Sequence, residues 1–151
     1  MNIDELDRRM LIELQGDGRM TNQQLSERVG LSPSPCLRRL KNLEGNVIKG
    51  YVALVDPASV GLGVTGFVRV RLDRQNDGYL AEFEQAVARF PEVMECYLMT
   101  GDADYQLRVV VRDLAAFENF LRQKLTKLVG VAQLTTSFAL RPVIYKTALP
   151  I

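Results

Sequence analysis

TNQQLSERVGLSPSPCLRRLKNLEGNVIKGY, residues 21–51, carries the densest helix punctuation in the chain. Thr21 can cap a helix with its hydroxyl while Gln24, three residues on, closes a capping box, and Leu25 and Val29 give that helix an apolar side. Gly30 ends it. Ser32 then caps a further helix over residues 33–43, with Pro33 and Pro35 in its first turn, where a missing amide proton forfeits no intrahelical bond. Upstream, Ile3, Leu6, Met10 and Leu14 recur at helical spacing until Gly16 and Gly18 stop the pattern. Three short helices with a tight turn before the last predict a helix-turn-helix, which sets its final helix into a DNA major groove.

Projected at about 100° per residue, the 33–43 helix gathers Cys36, Leu37, Leu40 and Leu43 on the side that must pack on its two predecessors. Ser34, Pro35, Arg38 and Asn42 point the other way. The forked groups of Arg38 and Asn42 match guanine and adenine edges, and Arg39 and Lys41 on the flanks suit phosphates. Thr21, Asn22 and Ser32 at the helix starts and Lys49 beyond the last helix complete the expected contact set. The formal net charge is only +1, but residues 28–50 set Arg28, Arg38, Arg39, Lys41 and Lys49 against the single acid Glu44. A solvated basic face is the plainer reading; the turn chemistry, and the concentration of cations on the last helix, favour double-stranded DNA.

At 151 residues and 47% hydrophobic, the chain has room for one ordinary core or two small ones. Its apolar runs are strand-sized and its start is charged, which predicts a cytoplasmic protein with no membrane partner. Cys36 and Cys96 fall in different modules and are expected as buried free thiols. Residues 51–55 suit an exposed strand, and the turn-rich 56–63 suits a hinge. This gives a division into 1–50, a linker 51–63, and a second domain 64–151.

After Gly63 the period changes. Strands are expected at 65–72, 93–100, 105–111 and 133–140. Between them fall a helix carrying Leu80, Phe83, Val87 and Phe90, and another carrying Leu114, Phe117, Leu121, Leu125 and Leu128. The order β-α-β-β-α-β predicts a ferredoxin-like fold, α+β overall, with both helices on one side of an antiparallel sheet. Alternation assigns Val68, Val70, Cys96, Leu98, Leu107, Val109, Leu134, Phe138 and Leu140 to the core. Phe67, Arg69, Tyr97, Met99, Arg108, Val110, Thr135, Ser137 and Arg141 are left on the other face, which is too apolar to stay in solvent and predicts at least a homodimer.

The pattern from LDRRMLIELQGDGRM through SPSPCLRRLKNLE to VIKGYVALVDP resembles the Lrp/AsnC (feast/famine) transcriptional regulators of bacteria and archaea over the whole chain. It departs from them at EGNVI, residues 44–48, where the family has a slightly longer turn. The resemblance implies a sequence-specific regulator with a winged helix-turn-helix domain, whose 51–55 strand pairs with a twofold mate and whose dimers gather into octamers. It also implies a free amino acid bound between dimers.

TGDADY, residues 100–105, is where that chemistry concentrates. Gly101 permits an unusual backbone path, and Asp102 and Asp104 could hold an ammonium. In the resemblance, Asp104 and Tyr105 match the acidic and aromatic positions of a G-x-x-D-Y pattern, and Thr135, Thr136 and Ser137 supply hydroxyls toward the ligand. Tyr97 and Met99 would wall the pocket, favouring an apolar effector such as leucine. An acidic turn without a ligand is the plainer reading. With no histidine, no Cys-x-x-Cys, no phosphate-cradling glycine motif and no Ser or Cys beside a base, an enzyme, a metal and a cofactor are not expected. The alternative retained is a nucleoid-type architectural protein with little sequence preference.

Overall fold

The computed structural model describes residues 2–74 and 76–151. It divides into two compact units, Met1–Leu54 with Val143–Ile151, and Val55–Pro142. The break falls inside the expected linker. The last nine residues, however, belong with the first unit rather than with the second domain.

The first unit holds α1 (Glu5–Gly16), α2 (Asn22–Val29) and α3 (Pro33–Asn46). Each start is chemically marked. Asp4 caps α1, accepting from the Asp7 amide at 2.8 Å, while the Asp7 carboxylate accepts from the Asp4 amide at 3.3 Å. Thr21 and Gln24 form the expected capping box on α2, and Gly30, at φ 73°, ends it in the left-handed region. Ser32 is the N-cap of α3 but its hydroxyl makes no capping bond. One of its two usual partners is absent: the cap oxygen normally accepts from the second or third helical amide, and the third residue here, Pro35, has none. The proline-started helix also runs three residues beyond expectation, through Gly45 to Asn46. Met10, Leu11, Leu14, Leu25, Val29, Cys36 and Leu43 form the core of this unit.

The second unit is the expected β-α-β-β-α-β: β1 (Val64–Leu72), α4 (Asp77–Val87), β2 (Val93–Leu98), β3 (Tyr105–Val111), α5 (Leu114–Phe120) and β4 (Val131–Phe138). After Phe120 the helix continues into a π-helical turn over Leu121–Leu125. The sheet is antiparallel in the order β2-β3-β1-β4. The core lies between its central strands and the two helices, with Val68, Val70, Leu107 and Val109 facing Phe83, Phe117, Phe120 and Leu125.

Strand order corrects several expectations. β2 and β4 are the edges, so Leu98 and Phe138, assigned inward, remain largely exposed, Cys96 is exposed as well, and Leu140 lies fully exposed past the end of β4. Phe138 keeps one inward contact, edge-to-face with Phe117 at 4.8 Å. Val110, assigned to the open face, is buried between Thr65 of β1 and the register shift at Val93/Glu95 of β2. Residues 51–55 form no strand and are exposed, because a lone strand needs a neighbour for its amides and carbonyls.

Phe117 reaches the sheet only because β1 has no side chain at residue 66. A Cβ on Gly66 would stand 2.4 Å from the Phe117 ring. Gly66→Ala is expected to destabilise the protein by about 1–3 kcal/mol, as overpacking of a filled core does, read as a lower urea midpoint at an unchanged slope. An unchanged midpoint would mean that the ring moves aside freely.

Candidate nucleic-acid and ligand sites

On α3, Ser34, Arg38, Lys41 and Asn42 are exposed along one face, and Pro35 is half-buried beside them. Arg38, Lys41 and Lys49 form no ion pair among the described residues. Asn42 is not idle: Asn46 Nδ2 donates to its side-chain oxygen at 3.0 Å and to its carbonyl at 2.9 Å. The pair presents two carboxamides in place of one. Asn46 lay outside the expected helix, so its place on this face was missed.

Arg39 departs from its expected role. One guanidinium nitrogen, Nη1, stands 2.7 Å from an Asp4 carboxylate oxygen and 2.8 Å from one of buried Asp7. It bolts α3 to the capping box of α1 instead of facing phosphates. Helix geometry explains this: Arg39 lies about 60° from Cys36 around the helix, whereas Leu37 lies about 100° away. Leu37, expected in the core, is accordingly 41% exposed, an apolar neighbour of the exposed polar face. Arg28 is likewise engaged, with Glu13 of α1 at 2.9 Å. Asn22 donates to the Pro33 carbonyl at 2.9 Å and so ties α2 to the first turn of α3. Thr21 spends its hydroxyl on the cap, while that of Ser32 forms no cap bond and is exposed. Beyond α3 the chain turns back so that Tyr51 lies against Gly18 and donates to Glu44 at 3.1 Å. Lys49, just before it, is exposed.

In the second unit the turn between β2 and β3 holds Gly101 at φ 108°, with Asp102 exposed. Asp104 is buried and turned inward. Its carboxylate accepts from the Leu72 amide at 2.7 Å, its own amide donates to the Val70 carbonyl at 2.9 Å, and its carbonyl accepts from Met99 at 2.8 Å. Tyr105 also points into the core, stacked on Phe83 at 4.6 Å, and donates to Glu84 at 2.6 Å. Burial, and then the Glu84 carboxylate, raise its pKa well above the ordinary tyrosine value. Asp104 and Tyr105 therefore shape the turn and leave Asp102 as its outward carboxylate.

The remaining ligand candidates fall apart by alternation. Thr135 and Ser137 are exposed on the open face, whereas Thr136 pairs with inward Val68 and is half-buried. Thr135, Arg69, Gln106 and Tyr97 make one row across all four strands. Three strand spacings of about 4.8 Å separate Tyr97 from Thr135, about 14 Å. One chain does not bring these two groups into a single small pocket. The register sets exposed Arg69 between Gln106 and Thr135 in that row. Met99 follows Tyr97 at the turn end of β2, and on the same open face Arg108 holds Glu95 through two bonds of 3.0 and 3.3 Å.

On the opposite side of β2, a groove of about 340 Å³ runs along α4, lined by Glu84, Val87, Cys96, Leu98 and Tyr105 among others. The Cys96 thiol lies in it, and desolvation followed by Glu84 pushes its pKa up to about 11. It is protonated at neutral pH and a poor nucleophile. Among the described residues no cluster of His, Cys, Asp or Glu could hold a metal ion, and no helix is long and apolar enough to cross a membrane.

Comparison with known proteins decides the family. Residues 65–149 match the Lrp/AsnC ligand binding domain, and residues 3–46 match a winged helix-turn-helix DNA-binding domain. The chain belongs to the Lrp/AsnC family of transcriptional regulators. It is 44% identical over 150 residues to the Bkd operon transcriptional regulator of Pseudomonas aeruginosa, covering 99% of this chain and 98% of that one. It is 42% identical over 131 residues to the leucine-responsive regulatory protein of Escherichia coli, covering 86% and 80% of the two chains. A transcriptional regulator of Neisseria meningitidis solved in complex with L-methionine superposes with a TM-score of 0.93 at 42% identity, over 99% of this chain and 97% of that one. The two matched regions fall mainly on the two units, the ligand-binding match running on into the last nine residues.

The Arg39 bolt gives acid sensitivity a definite sign. The amide of Asp7, and then Arg39, hold the Asp4 carboxyl below its ordinary value. Its contribution is fully present above the unfolded carboxylate pKa, about 3.9, and is lost as pH falls through the lower folded value. Arg39→Ala, which also leaves buried Asp7 without its cation, is expected to lower stability at neutral pH, by less than the loss of a fully buried pair because Arg39 is partly solvated. Unfolding curves at pH 7 and pH 3 check it: the gap between variant and parent should narrow at the lower pH.

Proposed function

We propose that this protein is a sequence-specific regulator that binds promoter DNA through α3 and responds to a small apolar amino acid through its ferredoxin-like unit. The observation that carries the DNA half is the exposed row Ser34, Arg38, Lys41 and Asn42 on a helix whose other side is buried against α1 and α2. Arg38 and Asn42, with Asn46 behind it, read base edges. Lys41, Lys49 and the Ser32 hydroxyl contact phosphates, and Leu37 lies where a thymine methyl can pack. The expected phosphate role of Arg39 passes to Lys41 and Lys49.

The open sheet face supports assembly through a second copy, at least as a dimer, with the octamer as the assembly that family resemblance implies. Phe67, Tyr97 and Met99 on that face are apolar enough to favour cover. Assembly also answers the separation of the ligand candidates, since Asp102, Tyr97 and Met99 at one edge and Thr135 and Ser137 at the other can share a ligand only across copies. The leucine-responsive name of one relative and the L-methionine in the solved structure of another support an apolar effector. A pocket built between copies couples the effector to assembly, because a ligand shifts an equilibrium by its differential affinity for the two states.

Binding to a target duplex tests the DNA half. Arg38→Ala is expected to cost about 1–3 kcal/mol and to relax base preference at one position, whereas Lys41→Ala weakens all sequences evenly and lowers the salt slope by about one. Identical behaviour of the two variants, or no preference over random duplex at the same salt, would instead favour an architectural protein. For the effector half, a thermal-shift screen of amino acids with light scattering should find one apolar ligand whose stabilisation Asp102→Asn abolishes and Glu84→Gln leaves intact. The reverse pattern would move the ligand into the α4–β2 groove.

A further inference from the structure

The last nine residues fold back as part of the DNA-binding unit. The side-chain amide of Gln15, at the end of α1, grips one backbone residue at both of its polar groups: Oε1 accepts from the Leu149 amide at 2.6 Å, and Nε2 donates to the Leu149 carbonyl at 3.2 Å. This is the hydrogen-bond pairing of a sheet neighbour, supplied here by a side chain. Around it, Leu149 and Ile151 line an apolar groove of about 240 Å³ with Ile3, Leu11, Val47 and Ile48, at the junction of α1 and the end of α3.

The hold is firm in geometry but small in extent. Leu149 and Ile151 remain 68% and 41% exposed, so the segment can leave its seat without unfolding the unit beneath it. The chain also passes between the two units twice, at Leu54/Val55 and again at Pro142/Val143. We propose that Val143–Ile151 is a detachable strap that completes the DNA-binding unit and gives the ligand-binding unit a second covalent handle on α1 and the foot of α3. A change in the ligand-binding unit that draws on the strap loosens α1 against α3, the helix that reads DNA. The strap's consequence for DNA rests on the DNA-binding reading above.

Two variants test it, the full chain carrying Gln15→Ala and a chain ended at Pro142. Alanine favours helix more than glutamine does, so Gln15→Ala removes the grip without weakening α1 itself. Hydrogen exchange of the α1 amides is expected to quicken about tenfold in both, the loss of two net hydrogen bonds, and affinity for a fixed target duplex should fall several-fold. Adding the 143–151 peptide at millimolar concentration to the shortened chain should restore slow exchange. Unchanged exchange in both variants overturns the strap. Faster exchange with unchanged DNA affinity overturns its role in DNA binding. A parent protein that binds no duplex would instead defeat the DNA-binding reading, while the exchange result still decides the strap.

Discussion

A single guanidinium fixes how α3, the last helix of the helix-turn-helix, is presented. Arg39 is shared by Asp4 and Asp7, the two members of the α1 capping box, so the cation that orients α3 also closes the first turn of α1. Asp7 is buried, and a buried carboxylate without a partner is costly, which makes the bolt obligatory once the helices pack. The apolar stripe alone would allow α3 to roll. Cys36 and Leu43 are fully buried, but hydrophobic burial is non-directional, whereas two charge-assisted bonds to one nitrogen define an angle. With Arg39 committed inward, the outward face keeps Arg38, Lys41 and Lys49, and its positive charge is smaller than the residue count suggests.

The second unit depends on a different constraint, that two helices cover one face of a four-stranded sheet. The central strands β1 and β3 receive that cover and bury their inward residues completely, while the edges β2 and β4 keep theirs partly open. Phe117 shows how tightly the cover fits, since it sits where β1 offers only Gly66. The far face then follows without further choice. It carries Phe67, Tyr97 and Met99 beside Arg69 and the Arg108–Glu95 pair, and this mixture suits a second polar-rimmed surface better than water.

Much of this was legible because the signals are local. The capping box of Thr21, the stop at Gly30, the proline start of α3 and the β-α-β-β-α-β order each depend on residues within a turn or two of one another. Other features that depart from expectation are also local. Pro35, with no amide proton, already removes one partner of the Ser32 cap, and the inward Tyr105 has the same parity as Leu107 and Val109. Arg39 lies nearer to Cys36 around α3 than Leu37 does, so the buried side takes the arginine and leaves the leucine at its margin. The C-terminal strap was not legible at all. Residues 143–151 carry no period, and the Gln15 contact spans 134 positions, so only the folded chain brings the two together.

The inward turn of Asp104 has a consequence for how ligand and fold are connected. A carboxylate reserved for an ammonium should face outward, yet this one holds the Leu72 amide where β1 ends, and it shares its turn with exposed Gly101 and Asp102. The same few residues thus present an outward carboxylate and brace the sheet behind it. On the proposed reading, a ligand drawn to Asp102 binds a turn whose backbone is already pinned to β1 through Asp104, so its binding energy is not spent on ordering a loose loop. On that same reading reciprocity applies: whatever free energy the ligand transmits to DNA binding, DNA must return to the ligand's affinity in equal measure. A turn anchored to a central strand can transmit such a coupling, because displacing it disturbs a strand that pairs with both β3 and β4.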